Sequence, residues 1–424
     1  MKYACGVDFG TSNSTVGWCP DGGARLLALE EQKHTLPSVV FFNAEEDRTS
    51  YGRRALSEYL GGDEGRLMRS MKSLLGTSLI DGQTEVQGKA LSFRALLAGF
   101  IGELKQRAER EAGQHFEAAV FGRPVHFIDD DAKADQQAEA TLRDIAQQAG
   151  FHEVLFQYEP IAAAFAYEAT ITSEQLVLIA DIGGGTSDFS LVRLSPQRAA
   201  ATERQQDILA NAGIHIGGTD FDKYLSLAQF MPLLGYGGQL ASGLEIPSSY
   251  YFNLATWHTI NLAYTQKVWR ELQEVSRDIQ DQDTRLRFER LLNLVEDRDG
   301  HWLAIRAEEA KIRLSDQTDI HLQLDRLRNR GSRELCELSI AQAQLDQAIA
   351  PLCEAVGNSV AGVLASAGLR PEQVDTVFFT GGSSGVHALR RQIASRVPGA
   401  RLVEGDLFGS IGTGLAIDAG RRFS

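Results

Sequence analysis

Basic residues are in short supply in this 424-residue chain: 42 Lys and Arg stand against 56 Asp and Glu, a formal net charge of −14. Such a surface repels a phosphate backbone, which argues against nucleic-acid binding as the main role. A nucleotide needs only a local site and stays open. Cysteine is scarce as well. Cys5, Cys19, Cys336 and Cys353 show no C-x-x-C spacing, so they read as reduced, mostly buried thiols of a cytosolic protein and not as a metal site or disulfide frame. The nine histidines form no H-x-x-x-H or similar pair and read as structural or surface residues. No run of about 18 apolar residues is present, so no transmembrane helix is expected. The opening Met1-Lys2-Tyr3-Ala4-Cys5 lacks a long apolar segment and a cleavage site. Secretion is therefore not expected, and a cytoplasmic location is. There is no Pro/Gly/Ser-rich linker and no low-complexity tail.

The chain does carry one acidic turn twice. Gly6-Val7-Asp8-Phe9-Gly10-Thr11-Ser12-Asn13-Ser14 is echoed by Ala180-Asp181-Ile182-Gly183-Gly184-Gly185-Thr186-Ser187-Asp188. Each follows an apolar, strand-like run and places a carboxylate at the strand end, then glycine, then hydroxyls. Glycine lets backbone N–H groups close on a phosphate with no Cβ in the way. Aspartate and phosphate are both anions, so a cation must stand between them, and Mg²⁺ on a nucleotide is the usual one. Either turn alone could be an ordinary Gly-rich hairpin. The pair points to two related lobes facing each other across one nucleotide. The length suits two lobes better than one core, and 43% apolar with 23% charged residues is the balance of a globular protein.

Organisation along the chain follows from periodicity. Residues 3–19 alternate as a hairpin, with Val7, Phe9, Val16 and Trp18 around the turn. Leu36 to Phe42 is a strand signal. Phe93 to Gly113 spaces Leu96, Leu97, Phe100, Ile101 and Leu104 as a helix. Ala118 to Phe127 is a strand into a loop, Ala138 to Gly150 a helix ending on glycine, Val154–Gln157 a short strand, and Ile161–Ala169 a small-residue helix. Leu176–Ala180 is a buried strand, Ile208–Ile216 another, and Gly217-Gly218-Thr219-Asp220-Phe221-Asp222 opens a helix. Residues 223–306 are mostly helical by pattern and hold Trp257, Trp269 and Trp302. Leu262, Val268, Leu272, Val275 and Ile279 fall roughly on one helical face. The charge-rich Arg277–Arg290 stretch reads as a solvated helix face. Residues 307–318 read as the next helix, Val374–Thr380 as a strand entering Gly381-Gly382-Ser383-Ser384-Gly385, and a last helix follows Gly409–Ala416.

Taken together, these segments resemble, in order from about residue 4 to 418, the nucleotide-binding domain of the DnaK-type chaperones of the heat-shock protein 70 family, within the actin, hexokinase and chaperone ATPase superfamily. Gly6 to Ser14 looks like the first phosphate loop and Asp181 to Asp188 like the second. Lys72, before Ser73-Leu74-Leu75-Gly76, looks like the catalytic lysine. Tyr158-Glu159-Pro160-Ile161-Ala162-Ala163-Ala164 is close to the glutamate-proline-alanine segment. Gly217 to Asp222 resembles a segment of the chaperone branch that sugar kinases lack, and Gly381-Gly382-Ser383 looks like the adenosine loop.

The resemblance implies an α/β, actin-like ATPase fold: two related lobes, with ribonuclease H-like mixed sheets, flanking a nucleotide cleft. Lobe I would span 1–172 with an outer subdomain at about 39–112, and lobe II 173–424 with an enlarged, mostly helical outer subdomain at about 219–308. Asp8 and Asp181 would hold Mg²⁺, largely through its waters. Glu159 would bind the attacking water or a metal-bound one, and Asp188 would share a K⁺ ion with Asp181. Gly10, Thr11, Ser12, Asn13, Gly183, Gly184, Gly185 and Thr186 would hold phosphates, with Thr186 also among the catalytic groups. Lys72 would orient the attacking water. Adenosine would lie among Gly217, Gly218, Glu308, Lys311, Ile312, Ser315, Gly381, Gly382 and Ser383.

Three features depart from the family pattern, the first being that the stretch between Asp222 and Glu308 is longer than the family's usual segment, which enlarges the outer part of lobe II. Ile312 stands where the family usually has an arginine that stacks on adenine, with Arg313 as a neighbouring substitute. No β-rich peptide-binding segment is expected after the ATPase, which brings the chain close to truncated chaperone-like proteins of the YegD type. The expected activity is slow Mg-ATP hydrolysis that switches conformation for a protein partner or client. A sugar or small-molecule kinase, an actin-like filament ATPase and a non-catalytic nucleotide sensor are the competing readings. The Gly217–Asp222 segment disfavours the kinase, and the joint presence of Asp8, Lys72, Glu159 and Asp181 disfavours the sensor.

Overall fold

A computed structural model of the chain describes residues 3–20, 23–128, 131–331 and 335–423. Met1, Lys2 and Ser424, at the outer limits of the two expected lobes, lie outside the described residues. The chain forms two compact units. One comprises Met1–Ile214, Ser359–Ser384 and Ala394–Ser424, the other His215–Asn358 and Gly385–Ile393.

The first unit contains two mixed sheets with one plan. In the first, Ala4–Phe9 pairs antiparallel with Asn13–Trp18 on one side and parallel with Ala118–Arg123 on the other, and Glu153–Tyr158 adds a further parallel strand. In the second, Gln175–Ile182 pairs antiparallel with Ser187–Leu194 and parallel with Thr376–Thr380, and Arg401–Glu404 continues the parallel side. Each sheet is thus a hairpin whose leading strand also opens a parallel run. The repeated acidic turn is the tip of that hairpin in both, with Asp8 opposite Thr15 and Asp181 opposite Asp188. The central strands are apolar on both faces, as parallel strands covered by helices must be: Ala118, Ala119, Val120 and Phe121 are all fully buried. This mixed α/β arrangement is that of the actin-like ATPase fold.

Helices of this unit form where the sequence expects them, with limits set by caps. Phe93–Ala112 starts on Ser92, whose hydroxyl accepts from Ala95 N at 3.2 Å, and stops at Gly113 with φ 64°. Ala132–Gln148 begins six residues before the expected start, because Asp131 accepts from the backbone of Lys133 and Ala134 and caps a first turn that is too polar to show in the apolar pattern. The small-residue helix runs from Glu159 to Glu168, packed through Ala162 on Leu415 and Ala419 of the helix Ser410–Arg422. Residues of the Gly409–Ala416 motif are therefore helical, not the loop before a helix.

The second unit is built mainly of helices, among them Gly218–Leu225, Ser249–Ala255, Gln266–Arg277, Gln282–Glu296 and Gly300–Leu314. The five-residue apolar face expected from 262 to 279 is broken. Trp257–Tyr264 is a 3₁₀ segment with Leu262 exposed, Thr265 caps a new helix at Gln266, and Ile279 lies buried beyond that helix's end. The charged stretch 277–290 is likewise the end of one helix and the start of the next, with Asp281 capping Thr284 N at 2.7 Å. The expected helix at 307–318 is the second half of Gly300–Leu314. The hairpin of Asp319–Leu324 and Cys336–Ala341 is not among the sequence expectations.

One helix bears on the expectation about membrane spans. The helix Gln342–Ser366 is long and apolar enough, by length and composition, to cross a membrane. Nearly half of its most apolar window is buried inside the protein, with Leu345, Ile349, Val356, Val360 and Val363 all enclosed. A long helix of the core meets the same test, because burial in protein and burial in lipid select the same side chains. The four cysteines are free, and Cys5, Cys336 and Cys353 are buried, as expected of reduced thiols.

Candidate functional site

The two acidic turns touch each other inside the first unit. A Cβ on Gly184 would fall 2.1 Å from Ser12 Oγ, so only glycine lets the second turn come this close to the hydroxyl of the first. The first turn is held from below by Ser38. Its hydroxyl donates to Gly10 O at 2.7 Å and lies 2.9 Å from Ser14 Oγ, and its N–H donates to Ser12 O at 2.9 Å. The second turn closes through Gly183 N to Thr186 O at 2.9 Å, and Thr186 Oγ1 donates to Asp188 Oδ2 at 3.0 Å.

Lys72 and Glu159, 87 residues apart in sequence, meet at 2.6 Å between Nζ and Oε1, with both side chains mostly enclosed. Lys72 sits in a 3₁₀ turn, Met71–Leu74, entered through Ser70 in the left-handed region at φ 54°. Glu159 is the first residue of its helix, followed by Pro160, the preferred residue for a first turn. Its carboxylate thus lies at the positive end of the helix.

Asp8 and Asp181 complete the cluster. Burial pushes the Asp8 carboxyl up to about 7, and the Glu159 charge pushes the same way while Lys72 opposes it. Asp181 is raised well above the usual carboxylate range by burial, then by Asp188, Glu159 and Asp8, again against Lys72. Burial alone would lower Lys72, but Glu159 and Asp8 outweigh it and hold the ammonium charged. Three carboxylates, Glu159, Asp8 and Asp181, therefore act on one ammonium, and Asp188 acts in turn on Asp181. Their charged forms are disfavoured there, and a further cation would favour them. Among the described residues no three His, Cys, Asp or Glu side chains converge into a direct metal cage. This donor set fits a cation held largely through its own waters, as Mg²⁺ usually is.

Gly381 follows the strand Thr376–Thr380 in the left-handed region, and a Cβ there would lie 2.5 Å from Asp181 Oδ1. Gly381, Gly382 and buried Ser383 thus lie beside the acidic cluster. The other predicted adenosine residues belong to the second unit. There Gly217 N donates to Asp220 Oδ2 at 3.0 Å, and buried Lys311 reaches Asp222 Oδ1 at 2.9 Å and Gly218 O at 3.2 Å. On the same helix Glu308 is exposed, Ile312 is 56% exposed, and Ser315 Oγ donates to Lys311 O. The Arg313 guanidinium donates to His321 O at 3.4 Å. Trp257, Trp269 and Trp302 are each half-buried; Trp257 stands edge-on to His301, and Trp302 is flanked by Arg306 and Arg326.

Three supports have no place among the sequence expectations. Ser38 is one. Arg123 is the second: it ends its strand opposite Tyr158, binds Asp135 at 2.7 Å and Glu139 at 2.5 Å, and lies over the Tyr158 ring next to Glu159. The third is Arg204, fully buried, bidentate to Glu168 at 2.8 and 2.9 Å and paired with Asp207. It anchors the far end of the helix that begins with Glu159. Nothing in the local sequence distinguishes these residues from solvated ones, since each acts through partners distant in the chain.

Comparison with known proteins agrees with this geometry. The family model described as Hsp70 protein matches residues 4–231 and 291–403. A chaperone protein HscA homolog of Vibrio vulnificus is 33% identical over 245 residues, 53% of this chain and 37% of the relative. One from Vibrio parahaemolyticus is 31% identical over 287 residues, 63% of this chain and 42% of the relative. A chaperone protein HscA of Citrobacter koseri is 31% identical over 245 residues. The chain thus spans about two fifths of the length of these curated relatives. The family match leaves out 232–290, part of the helical stretch that the sequence marks as long. With both acidic turns, Lys72, Glu159 and the Gly381 loop all inside the matched residues, the chain belongs to the Hsp70 protein family.

Proposed function

We propose that this chain binds Mg-ATP at the acidic turns, hydrolyses it slowly, and changes conformation for a protein partner as it does so. Members of the Hsp70 family are ATPases, and the reading rests on one observation: Asp8, Asp181, Glu159 and Lys72 converge on two touching glycine turns. Mg²⁺, when bound, would offset phosphate charge and join the nucleotide to carboxylates that would otherwise repel it. Asp8 and Asp181 are the residues to hold it, with Glu159 and Asp188 completing the negative ring and Asp188 and Asp181 the pair to share K⁺. The N–H groups of Gly10–Asn13 and Gly183–Thr186, with the hydroxyls of Thr11, Ser12 and Thr186, would orient phosphate oxygens. Lys72 would place its charge beside the transferring group and position the water, with Glu159 accepting a hydrogen bond from that water.

The switch follows from differential contact: a nucleotide that binds one conformation better shifts the population toward it, and hydrolysis removes part of that bias. The helical stretch 223–306 supplies a surface for a partner to read this state, and Lys267, Arg270 and Glu274 lie exposed on one of its helices. The boundaries 1–172 and 173–424 and a cytoplasmic location belong to the same reading.

Lys72→Ala tests turnover apart from binding. Hydrolysis should fall by roughly 10²-fold or more while nucleotide binding persists, as on loss of a charge used mainly in the transition state. Equal turnover in variant and parent, measured under single-turnover conditions, would remove Lys72 from catalysis.

A further inference from the structure

Phe408 is a large apolar side chain that the fold leaves 53% exposed. The turn that carries it is fixed. Asp406 Oδ1 accepts from Phe408 N at 3.1 Å, and Asp406 O accepts from Ser410 N at 3.1 Å and Ser410 Oγ at 2.6 Å, which starts the helix Ser410–Arg422. The ring lies directly on Gly382, where a Cβ would fall 2.4 Å from a ring carbon. Gly381, the residue before, packs against the Asp181 carboxylate. The line Asp181, Gly381, Gly382, Phe408 is therefore continuous and lies wholly in the first unit. It sets the ring at most about 12 Å from the carboxylate, given the spacing of adjacent Cα atoms. That is the scale that separates a base from the phosphates of its own nucleotide.

A lone exposed aromatic is ordinary. This one differs in being held on a capped turn, with its ring packed on Gly382, and next to the proposed phosphate site. The side chain to which family resemblance assigns base stacking is here Ile312, and Arg313 is engaged with His321 O. We propose that Phe408 supplies the stacking face for the nucleotide base, in place of a guanidinium. This assignment rests on the proposed nucleotide site and adds its base-recognition residue. An aromatic face binds any base through its π surface. It gives affinity without reading the base edge, so purines should be weakly discriminated.

The test is calorimetric titration of the full chain and of Phe408→Ala with Mg-ADP, Mg-GDP and Mg-pyrophosphate. The variant should bind Mg-ADP and Mg-GDP roughly 5- to 150-fold more weakly, the range of one lost base stack, and should bind Mg-pyrophosphate like the parent. Phe408→Trp should restore or tighten nucleotide binding. Phe408→Leu, apolar but without a ring, should not. Unchanged Mg-ADP affinity in Phe408→Ala overturns the assignment and leaves the nucleotide site standing. Equal losses for Mg-ADP and Mg-pyrophosphate also overturn it, because Phe408 then acts only by shaping the glycine loop. A parent that binds none of the three overturns the assignment together with the reading beneath it.

Discussion

The helix Glu159–Glu168 has a charged cluster at each end, and the two are opposites. At its far end Arg204 grips Glu168 with two hydrogen bonds and also pairs with Asp207, which Arg198 supports. Two cations face two anions there, and Arg204, Glu168 and Asp207 are all fully enclosed. At its near end one ammonium, Lys72, faces Glu159, Asp8 and Asp181, with Asp188 close by. A balanced cluster is a structural device. An unbalanced one with perturbed carboxylates is a candidate site for a group whose charge the protein does not supply. The comparison separates scaffold from site on charge alone.

Breaking the balanced end should cost the most. Arg204→Met leaves Glu168 without its cation and Asp207 with only Arg198, and removal of one partner from a buried pair costs about 3–5 kcal/mol. Denaturant unfolding measures it. A loss below about 1 kcal/mol, the ceiling for an ordinary surface pair, would show that the cluster is wetter or more replaceable than its burial implies.

At the unbalanced end the sign reverses. A carboxyl whose folded pKa is raised contributes stability that is complete below the unfolded value and is lost as pH rises through the folded value. For Asp8 that window runs from the ordinary carboxylate range to about 7. Asp8→Asn should therefore raise the melting temperature of the nucleotide-free protein at pH 8, change it little at pH 4, and weaken Mg²⁺-dependent nucleotide binding. A variant that melts below the parent at pH 8 would mean that the Asp8 charge is already compensated.

The smallest effect belongs to the exposed second-unit helix. Ile312→Arg should tighten ATP binding by about 0.5–2 kcal/mol, the range of a cation–π contact. Ile312 is more than half exposed, so the change leaves the core intact. No gain in titration would show that Ile312 does not meet the base.

The unbalanced end was far more legible in sequence than the balanced one. Asp8 and Asp181 sit in glycine turns that repeat, and Glu159 precedes a proline that fixes a helix start. Local pattern therefore betrays both. Arg204, Arg123 and Ser38 act across long sequence separations, and an arginine destined for the interior looks like any surface arginine until its partners are known. In the fold, apolar periodicity located most helices and strands of the first unit, but capping by Asp131 and Thr265 set starts that periodicity missed. The hairpin from Asp319 had a usable signal in Ile320, Leu322 and Leu324, which alternate and are all buried. The apolarity of Gln342–Ser366 is interrupted by Asp346 and Glu354, which hides its length from a search for unbroken apolar runs.

Thermal melting of the parent and of Asp181→Ala, with ATP at millimolar concentration and with either Mg²⁺ or a chelator, tests the central claim that the unpaired negative charge is a Mg-nucleotide site. Mg-ATP should raise the parent's melting temperature with occupancy, by about 2.7 kcal/mol of added stability at one hundred times the dissociation constant, and the chelator or Asp181→Ala should remove most of the gain. A parent whose melting is the same with and without Mg-ATP would contradict it.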